Sequence, residues 1–433
     1  MTARKKSIAT AAVLAAGVLV MTGCSGDTGS AVQSGPVTIE YLGWVVGLKG
    51  SVAIWNKENP DIQVKLTTTS GSDTANPKIR AGVQAGNAPC LAQMAYYSIP
   101  SFVADDLLEP VTKDAAAYKG EYLPWTWAST SPGGQTYGIP QDTGPMVMYY
   151  NQKEFDKYGI DVPTTWDEYA TAAKKVHDAD KSVSFGFFGT DDVGNYAGLV
   201  SQAGGRWTTV DGDQWKVGID SPASNKVATY WQDLITSGGV RTTPRFDAGI
   251  YPLFEQGKIL TMIGASWNYS SLPANVPSQT GQWRIAPMPN WGQPASGNSG
   301  GSASVVVKGC KYPAQAVKFA NWLNSSEASL NFLSSPTIGG LYPAASKALK
   351  YDVVNTEVDY YGGQNVFQEF AKSSALVDTS WQYGPTYEST DTEFGDGFAA
   401  VATGSKTLPA VDAEVQAATL SDMKKRGISA SAE

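Results

Sequence analysis

The sequence predicts an α/β fold, in two successive regions, behind a secretory leader. Three observations carry this expectation. Between residues 37 and 94 the apolar pattern runs strand, helix, strand, helix, strand. That order suits a parallel sheet, because parallel neighbours must be joined by a crossover. A turn-rich stretch, Tyr137-Gly138-Ile139-Pro140-Gln141-Asp142-Thr143-Gly144-Pro145, then gives way to a clear strand at Met146–Tyr150, where a second α/β region opens. Finally, Arg4, Lys5 and Lys6 precede an apolar run from Ile8 to Val20 that closes on Met21-Thr22-Gly23-Cys24. A charged start, a short apolar core and small residues before a cut make a secretory signal. The run is too short for a membrane span of about 20 residues.

The elements follow in order. Residues 25–36 are small and polar, a flexible tether of the Gly/Ser kind. Val37, Ile39 and Tyr41 alternate as a first strand. A helix carrying Val52, Ile54 and Trp55 near its end stops at Asn59-Pro60, and Ile62, Val64 and Leu66 alternate again. Residues 76–85 have a helical face of Ile79 and Val83, and Gly86-Asn87-Ala88-Pro89 turns into a strand at Cys90–Met94. Thr165-Trp166-Asp167-Glu168 is a capping box that starts a helix at Thr165. Ser221-Pro222 opens another, with Val227, Tyr230, Trp231 and Leu234 as its buried face and Gly238 past its end. Residues 254–264 read as helix end, turn and short apolar strand, and Pro313 opens a helix through Ala316, Ala320 and Leu323. The tail from about Ser346 has helical stretches and few strand signals.

Small residues leading directly to a cysteine resemble the lipobox of bacterial lipoproteins. The resemblance implies cleavage before Cys24 (signal 1–23, tether 24–36), a lipid on the Cys24 thiol and a membrane-anchored position outside the cytoplasm. Cleavage leaves 29 basic against 40 acidic residues, a net charge of −11. No basic stripe survives, so nucleic acid is excluded as a partner. With Cys24 assigned, Cys90 and Cys310 form an even pair in an oxidising compartment. One disulfide is expected between them, the alternative being two buried free thiols. The single histidine, His177, falls late in a helix, where a cation beside the helix C-terminus explains it. With no second histidine and no thiol cluster, neither a zinc site nor any other metal or cofactor is called for. The chain holds 13 Trp and 21 Tyr. Their flat apolar faces with a polar edge suit sugar rings as well as a core.

Several segments together resemble the extracellular solute-binding proteins of ABC importers, and most nearly the carbohydrate-binding group that includes maltose-binding protein. They are the opening strand and the helix ending Trp55-Asn56-Lys57-Glu58-Asn59-Pro60-Asp61-Ile62, then Ala85-Gly86-Asn87-Ala88-Pro89, then Tyr137–Pro140 through Tyr149-Tyr150-Asn151. Pro163-Thr164-Thr165-Trp166-Asp167-Glu168, Phe254–Trp267 and Val307-Lys308-Gly309 complete the set. Cys90 departs from it, standing where members often carry aspartate. The resemblance implies a two-lobed periplasmic-binding-protein-like fold with three interlobe crossings and a ligand cleft between the lobes. Lobe one would hold 37–142 and 290–343, and lobe two 143–289 and 344–433. Both paired cysteines then fall in lobe one. It further implies a monomeric receptor on the outer face of the cytoplasmic membrane that hands an oligosaccharide to an ABC transporter permease, and no catalysis.

Candidate ligand residues are those at strand ends or crossings. Trp267 is a stacking platform or else a core tryptophan. Gln141 and Asp142 lie on the first crossing and would face the cleft. Trp44 ends the first strand. Tyr96 and Tyr97 follow the Cys90 strand, where alternation would turn only one toward ligand. Gly300, Gly301 and Ser302 would let backbone approach ligand. Trp381 and Tyr383 belong to a late segment that would close over a sugar. Asp191, Asp192 and Asn195 are either ligand contacts or a solvated loop. Two other functions compete. A secreted glycoside hydrolase would need two carboxylates about 5–10 Å apart, and no motif pairs them. A binder of peptides, polyamines or phosphate esters is the other, and the abundance of tryptophan argues for sugars over these.

Overall fold

A computed structural model describes residues 36–433. The leader, Cys24 and all of the tether but Pro36 lie outside the described residues. The strands in chain order are β1 Val37–Gly43, β2 Ile62–Thr68, β3 Leu91–Ala95, β4 Gly138–Pro140, β5 Asp142–Thr143, β6 Met146–Asn151, β7 Gly186–Gly189, β8 Thr208–Asp211, β9 Gln214–Val217, β10 Val240–Thr243, β11 Thr261–Ala265, β12 Trp283–Pro287, β13 Ser302–Val306, β14 Tyr342–Pro343 and β15 Ala430–Ala432.

The first sheet runs β2-β1-β3-β13-β4. As the early alternation predicts, β1 is parallel to β2, in register from Val37 opposite Ile62 to Gly43 opposite Thr68, and parallel to β3. The sheet is nevertheless mixed, because β13 arrives from late in the chain and pairs antiparallel with both β3 and β4. The second region departs further from a parallel sheet. β6 is central and antiparallel to both β11 and β12, while β7 with β10 and β9 with β15 are parallel. Every residue of β6 is buried. An apolar run buried on both faces reveals a strand but not the direction of its neighbours.

The helices start where their caps place them. The Thr165 side chain accepts from the Glu168 amide while Glu168 returns to the Thr165 backbone, completing the capping box of the helix Trp166–Ala179. Ser221 caps Pro222–Thr236, with Pro222 at its first turn. The helix Ser72–Ala85 begins four residues before the predicted Asn76. His177 sits in the last turn of its helix, its ring packed beneath Gly238.

Buried side chains form separate cores. Ile39, Tyr41, Trp55, Ile139, Phe319 and Leu323 pack on one face of the first sheet, and Met94, Ile99, Phe102 and Val305 on the other. Met148, Trp166, Tyr169, Trp231 and Phe398 pack on one face of the β6 sheet, and Tyr149, Phe254, Trp283 and Phe370 on its other face. The expected disulfide is present: Cys90, just before β3, is bonded to Cys310, in the turn after β13, with Cα atoms 4.4 Å apart.

Candidate functional site

The chain passes from β4 to β5 through Gln141 and Asp142, and β13 brings Ser302 alongside. The Gln141 amide donates to the Ser302 carbonyl at 2.9 Å. Asp142 Oδ1 accepts from the Ser302 backbone N–H at 2.9 Å and from its Oγ at 2.6 Å. Gln93 Nε2 donates to Ser302 Oγ, and Gln93 Oε1 accepts from the backbone N–H groups of Trp44 and Val45 at 3.0 and 3.2 Å. Gln141 reaches the other way, its Nε2 donating to Asn324 Oδ1. One buried amide, Gln93, therefore ties the Trp44 loop to this passage, a role the sequence reading missed. A glutamine inside an apolar strand is its only signal. Asp142 is 4% exposed. Burial pushes its carboxyl up to about 7, against the lowering effect of the two Ser302 bonds.

Gly301 has φ +94°, and a Cβ there would lie 2.8 Å from both the Asp142 carbonyl oxygen and the Tyr96 ring. This position needs glycine for conformation and for space. The close approach is to Asp142 and Tyr96, within the protein. Gly300, beside it, lines a narrow pocket with Tyr96, Trp125, Asn298, Trp381 and Tyr383. The pocket is small, about 20 Å³, little more than the room a water molecule needs. Tyr96 Oη and Trp381 Nε1 are buried without hydrogen-bond partners.

Tyr96 and Tyr97 do not continue the strand. They form a 3₁₀ turn, Tyr96–Ser98, so strand alternation does not govern them. Both meet aromatic partners: Tyr96 meets Trp125 edge-on at 6.3 Å, and Tyr97 lies 5.2 Å from Tyr387 and 6.2 Å from Tyr383. Tyr97 Oη bonds Ser72 Oγ at 2.6 Å. Around this aromatic cluster the helix Ser72–Ala85 is joined to the chain near residue 388. Glu388 accepts from Arg80 Nη2 at 2.6 Å and from Asn76 Nδ2 at 2.8 Å, and Ser101 Oγ donates to the Pro385 carbonyl. Trp44 is half-buried beside the Met94 core and does not line the narrow pocket.

Trp267 lies in the 3₁₀ turn Ser266–Ser270 after β11, its Nε1 donating to the Ser299 carbonyl. It lines a second, larger pocket of about 100 Å³ with Arg245, Phe246, Met262, Asn268 and Leu272. The Phe246 ring lies nearly parallel to Trp267, 19° off with centroids 6.2 Å apart. Arg245 and Phe246 were not anticipated, since they fall in an aperiodic loop after β10. The Asp191–Asn195 cluster supports them. Asp191 accepts from the backbone N–H groups of Arg245 and Phe246. Asp192 caps the helix Val193–Gln202 and pairs with Arg245 Nε at 3.1 Å, with both side chains buried. Burial raises the Asp192 carboxyl, while Arg245 pulls it down. Asn195 Nδ2 donates to the Ile263 carbonyl in the middle of β11. Among the described residues, no group of three or more His, Cys, Asp or Glu is arranged to hold a metal ion, and no helix is long and apolar enough to cross a membrane.

Known proteins share this architecture. A Bifidobacterium longum ABC-transporter protein that binds galacto-N-biose and lacto-N-biose I, solved with lacto-N-biose, superposes with a TM-score of 0.84 at 30% identity, over 92% of this chain and all of its own. An ABC-transporter-associated binding protein of B. animalis subsp. lactis, solved with β-1,6-galactobiose, gives 0.82 at 26% identity over 91% of this chain and 99% of its own. The arabinooligosaccharide-binding protein of Bacillus subtilis is 25% identical over 85% of this chain and 87% of its own. These relatives are binding proteins, not enzymes, which removes the hydrolase alternative. The family model for bacterial extracellular solute-binding proteins matches residues 40–329, and the chain belongs to that family.

Proposed function

We propose that the protein captures an oligosaccharide in a cleft between two lobes and delivers it to the permease of an ABC importer. The observation that carries this reading is the narrow pocket. Tyr96 and Trp125, Asn298 and Gly300, and Trp381 and Tyr383 come from three distant stretches of chain to one lining that offers aromatic side chains beside an amide and glycine backbone. Sugar rings need stacking faces and hydrogen-bonding groups of this kind. The sugars bound by the relatives support the same ligand class.

The lobes in this reading are 37–142 with 290–343 and 143–289 with 344–433. The separation of the cores around the two main sheets supports that division. Ligand touches both lobes only when they are closed, so it shifts the population toward closure. Moving from mostly open to mostly closed takes about 5.5 kcal/mol of differential binding. At about 20 Å³ the narrow pocket corresponds to the closed form, and the lobes part to admit a sugar. A lipid on Cys24 holds the monomeric receptor at the outer face of the cytoplasmic membrane.

The test is calorimetry on residues 25–433 with lacto-N-biose, β-1,6-galactobiose and arabino-oligosaccharides, followed in parallel by tryptophan fluorescence. Saturable binding of one of these, weakened at least tenfold by Trp381→Ala, supports the reading. A flat response to all of them, with binding of a peptide or polyamine instead, overturns it.

A further inference from the structure

Two helices meet across the seam between the proposed lobes, Ser72–Ala85 from lobe one and Tyr387–Ala402 from lobe two. Their contacts divide into two unlike halves. In the first half charge is matched: Glu388 accepts from Arg80 Nη2 at 2.6 Å and from Asn76 Nδ2 at 2.8 Å, and Arg80 also holds Asp105. In the second half acid faces acid. Asp73 stands one turn before Asn76, and Asp391 one turn after Glu388. The crossing that joins Asn76 to Glu388 therefore turns these two carboxyls toward one another. Tyr97 pins the same corner. Its Oη bonds Ser72 Oγ at 2.6 Å, and its ring lies 5.2 Å from that of Tyr387, one turn before Asp391.

We propose that Asp391, with Asp73 opposite it, is a proton-sensitive latch: closure of the lobes takes up a proton, and sugar binding tightens as pH falls through neutrality. This rests on the two-lobed capture reading above and adds what sets the balance between open and closed forms.

The surroundings of Asp391 are acidic or neutral. Helix Ser72–Ala85 brings Asp73 and Arg80, and the turn after β3 brings Tyr97. The start of helix Val193–Gln202 brings Asp192, with Asp191 beside it. Tyr387 and Glu388 share the helix of Asp391, and Tyr383 lies just before it. Helix Leu408–Lys425 meets this helix through Thr419 and Thr390, and its buried carboxyl, Asp412, is bonded by Tyr196. The two guanidiniums nearby are taken, Arg80 by Glu388 and Asp105 and Arg245 by Asp192. No cation is left for Asp391. Burial pushes its carboxyl up to about 7, and Asp73, Asp192 and Glu388 push the same way.

Parting of the lobes gives Asp391 water and takes Asp73 away, so the carboxyl returns toward its ordinary value near 3.8. The closed form then holds more protons than the open one between about pH 4 and pH 7, and closure weakens as pH rises through that range and levels off above it. By linkage, proton and sugar favour each other's binding. Asp142 and Asp412 do not report on closure, because Ser302 and Tyr196, which bond them, share their respective lobes.

The experiment measures wild type, Asp391→Asn and Asp73→Asn on residues 25–433. Calorimetry at pH 6 and pH 8 uses lacto-N-biose, β-1,6-galactobiose and arabinotriose, and a titration at pH 7 is repeated in phosphate and in Tris, whose protonation heats differ. Small-angle scattering follows the ligand-free proteins at pH 6 and pH 8. For wild type the expected results are a Kd up to about tenfold lower at pH 6 than at pH 8, uptake of about half a proton per sugar at pH 7, and a more compact ligand-free form at pH 6. Asp391→Asn should bind equally at both pH values and take up no proton. Asp73 is exposed, so its variant keeps the fold even if the other does not, and its pH dependence should be smaller than that of wild type. A wild-type Kd that does not change with pH, or a change that persists in full in either variant, overturns the latch and leaves the carbohydrate reading intact. No binding by wild type of any of these sugars overturns the carbohydrate reading. Scattering then decides the latch by itself, and equal dimensions at the two pH values overturn it.

Discussion

Single residues hold unusual charge states in this protein, and their effect on stability has a definite sign. Asp142 is pushed up to about 7 by burial, Asp391 to about 7 by burial and by Asp73, Asp192 and Glu388, and Asp412 to about 8 by burial although Tyr196 donates to it. Each folded value lies above the ordinary carboxyl value near 3.8. Between about pH 4 and pH 7 the folded state therefore holds more protons than the unfolded one, and stability falls as pH rises through that range. Calorimetric unfolding is expected to give a higher Tm at pH 5 than at pH 8. Asp142→Asn keeps an acceptor for Ser302 and should remove that residue's share of the difference, up to about 4 kcal/mol. An unchanged pH profile in that variant would show that Asp142 is ionised in the folded protein throughout. Gln93 and Ser302 act at the same scale, since their side chains connect the Trp44 loop to Asp142 without lining either pocket.

Helix starts and the crosslink belong to the scale of elements. The Thr165 capping box satisfies backbone donors at the start of a helix whose inner face carries Trp166, Tyr169 and Val176. Thr165→Ala should cost about 1 kcal/mol, read as a lower urea midpoint with an unchanged m-value. Cys90–Cys310 ties the start of β3 to the turn after β13 across 220 residues of chain. Reduction, or the double change Cys90→Ser with Cys310→Ser, should cost about 2–5 kcal/mol. A thermal shift near zero would mean that the pairing of β13 with β3 already restricts these ends as tightly as the bond does. The β13 insertion also positions the glycine turn, because Ser302 is its first residue and Gly300 and Gly301 lead into it.

Across the whole molecule the question is what keeps the lobes together. Glu388 receives Arg80 and Asn76, Asp105 receives Arg80 and Arg426, and the Pro385 carbonyl receives Ser101. Apart from Arg80–Asp105, which lies within one stretch, these contacts join residues 76–105 to residues 385–426, which the proposed division puts in opposite lobes. The pairs are partly exposed, with Arg80 and Glu388 near 30%, so each is worth about 0–1 kcal/mol. Arg80→Met should then weaken sugar binding by up to about fivefold and expand the ligand-free form in solution scattering. Unchanged scattering with unchanged affinity would mean that the seam does not depend on Arg80 and is held by the Asn76, Ser101 and Arg426 contacts and by the packing of Tyr97 on Tyr383 and Tyr387.

Local chemistry made much of this molecule legible before any coordinates. The Thr165 box, the Pro222 and Pro313 helix starts, the alternation in β1 and β2 and the pairing of two cysteines are written in neighbouring residues or in simple arithmetic, so the sequence by itself determined them. The ordered set of family segments did the same for the two-lobed architecture. Tertiary structure alone decided three other matters. The antiparallel entry of β13 and the antiparallel β6 sheet depend on which distant strand arrives beside which, and an apolar run looks the same in either direction. Tyr96 and Tyr97 leave the strand for a tight turn at the point where the Tyr96 amide donates to the Gly301 carbonyl and the Tyr96 ring lies over Gly301. Arg245 and Phe246 became part of a pocket because two aspartates some fifty residues earlier capture their backbone and charge. Periodicity registers which face of an element is buried, whereas a binding site is a meeting of side chains from separate elements, and only folding sets their distances.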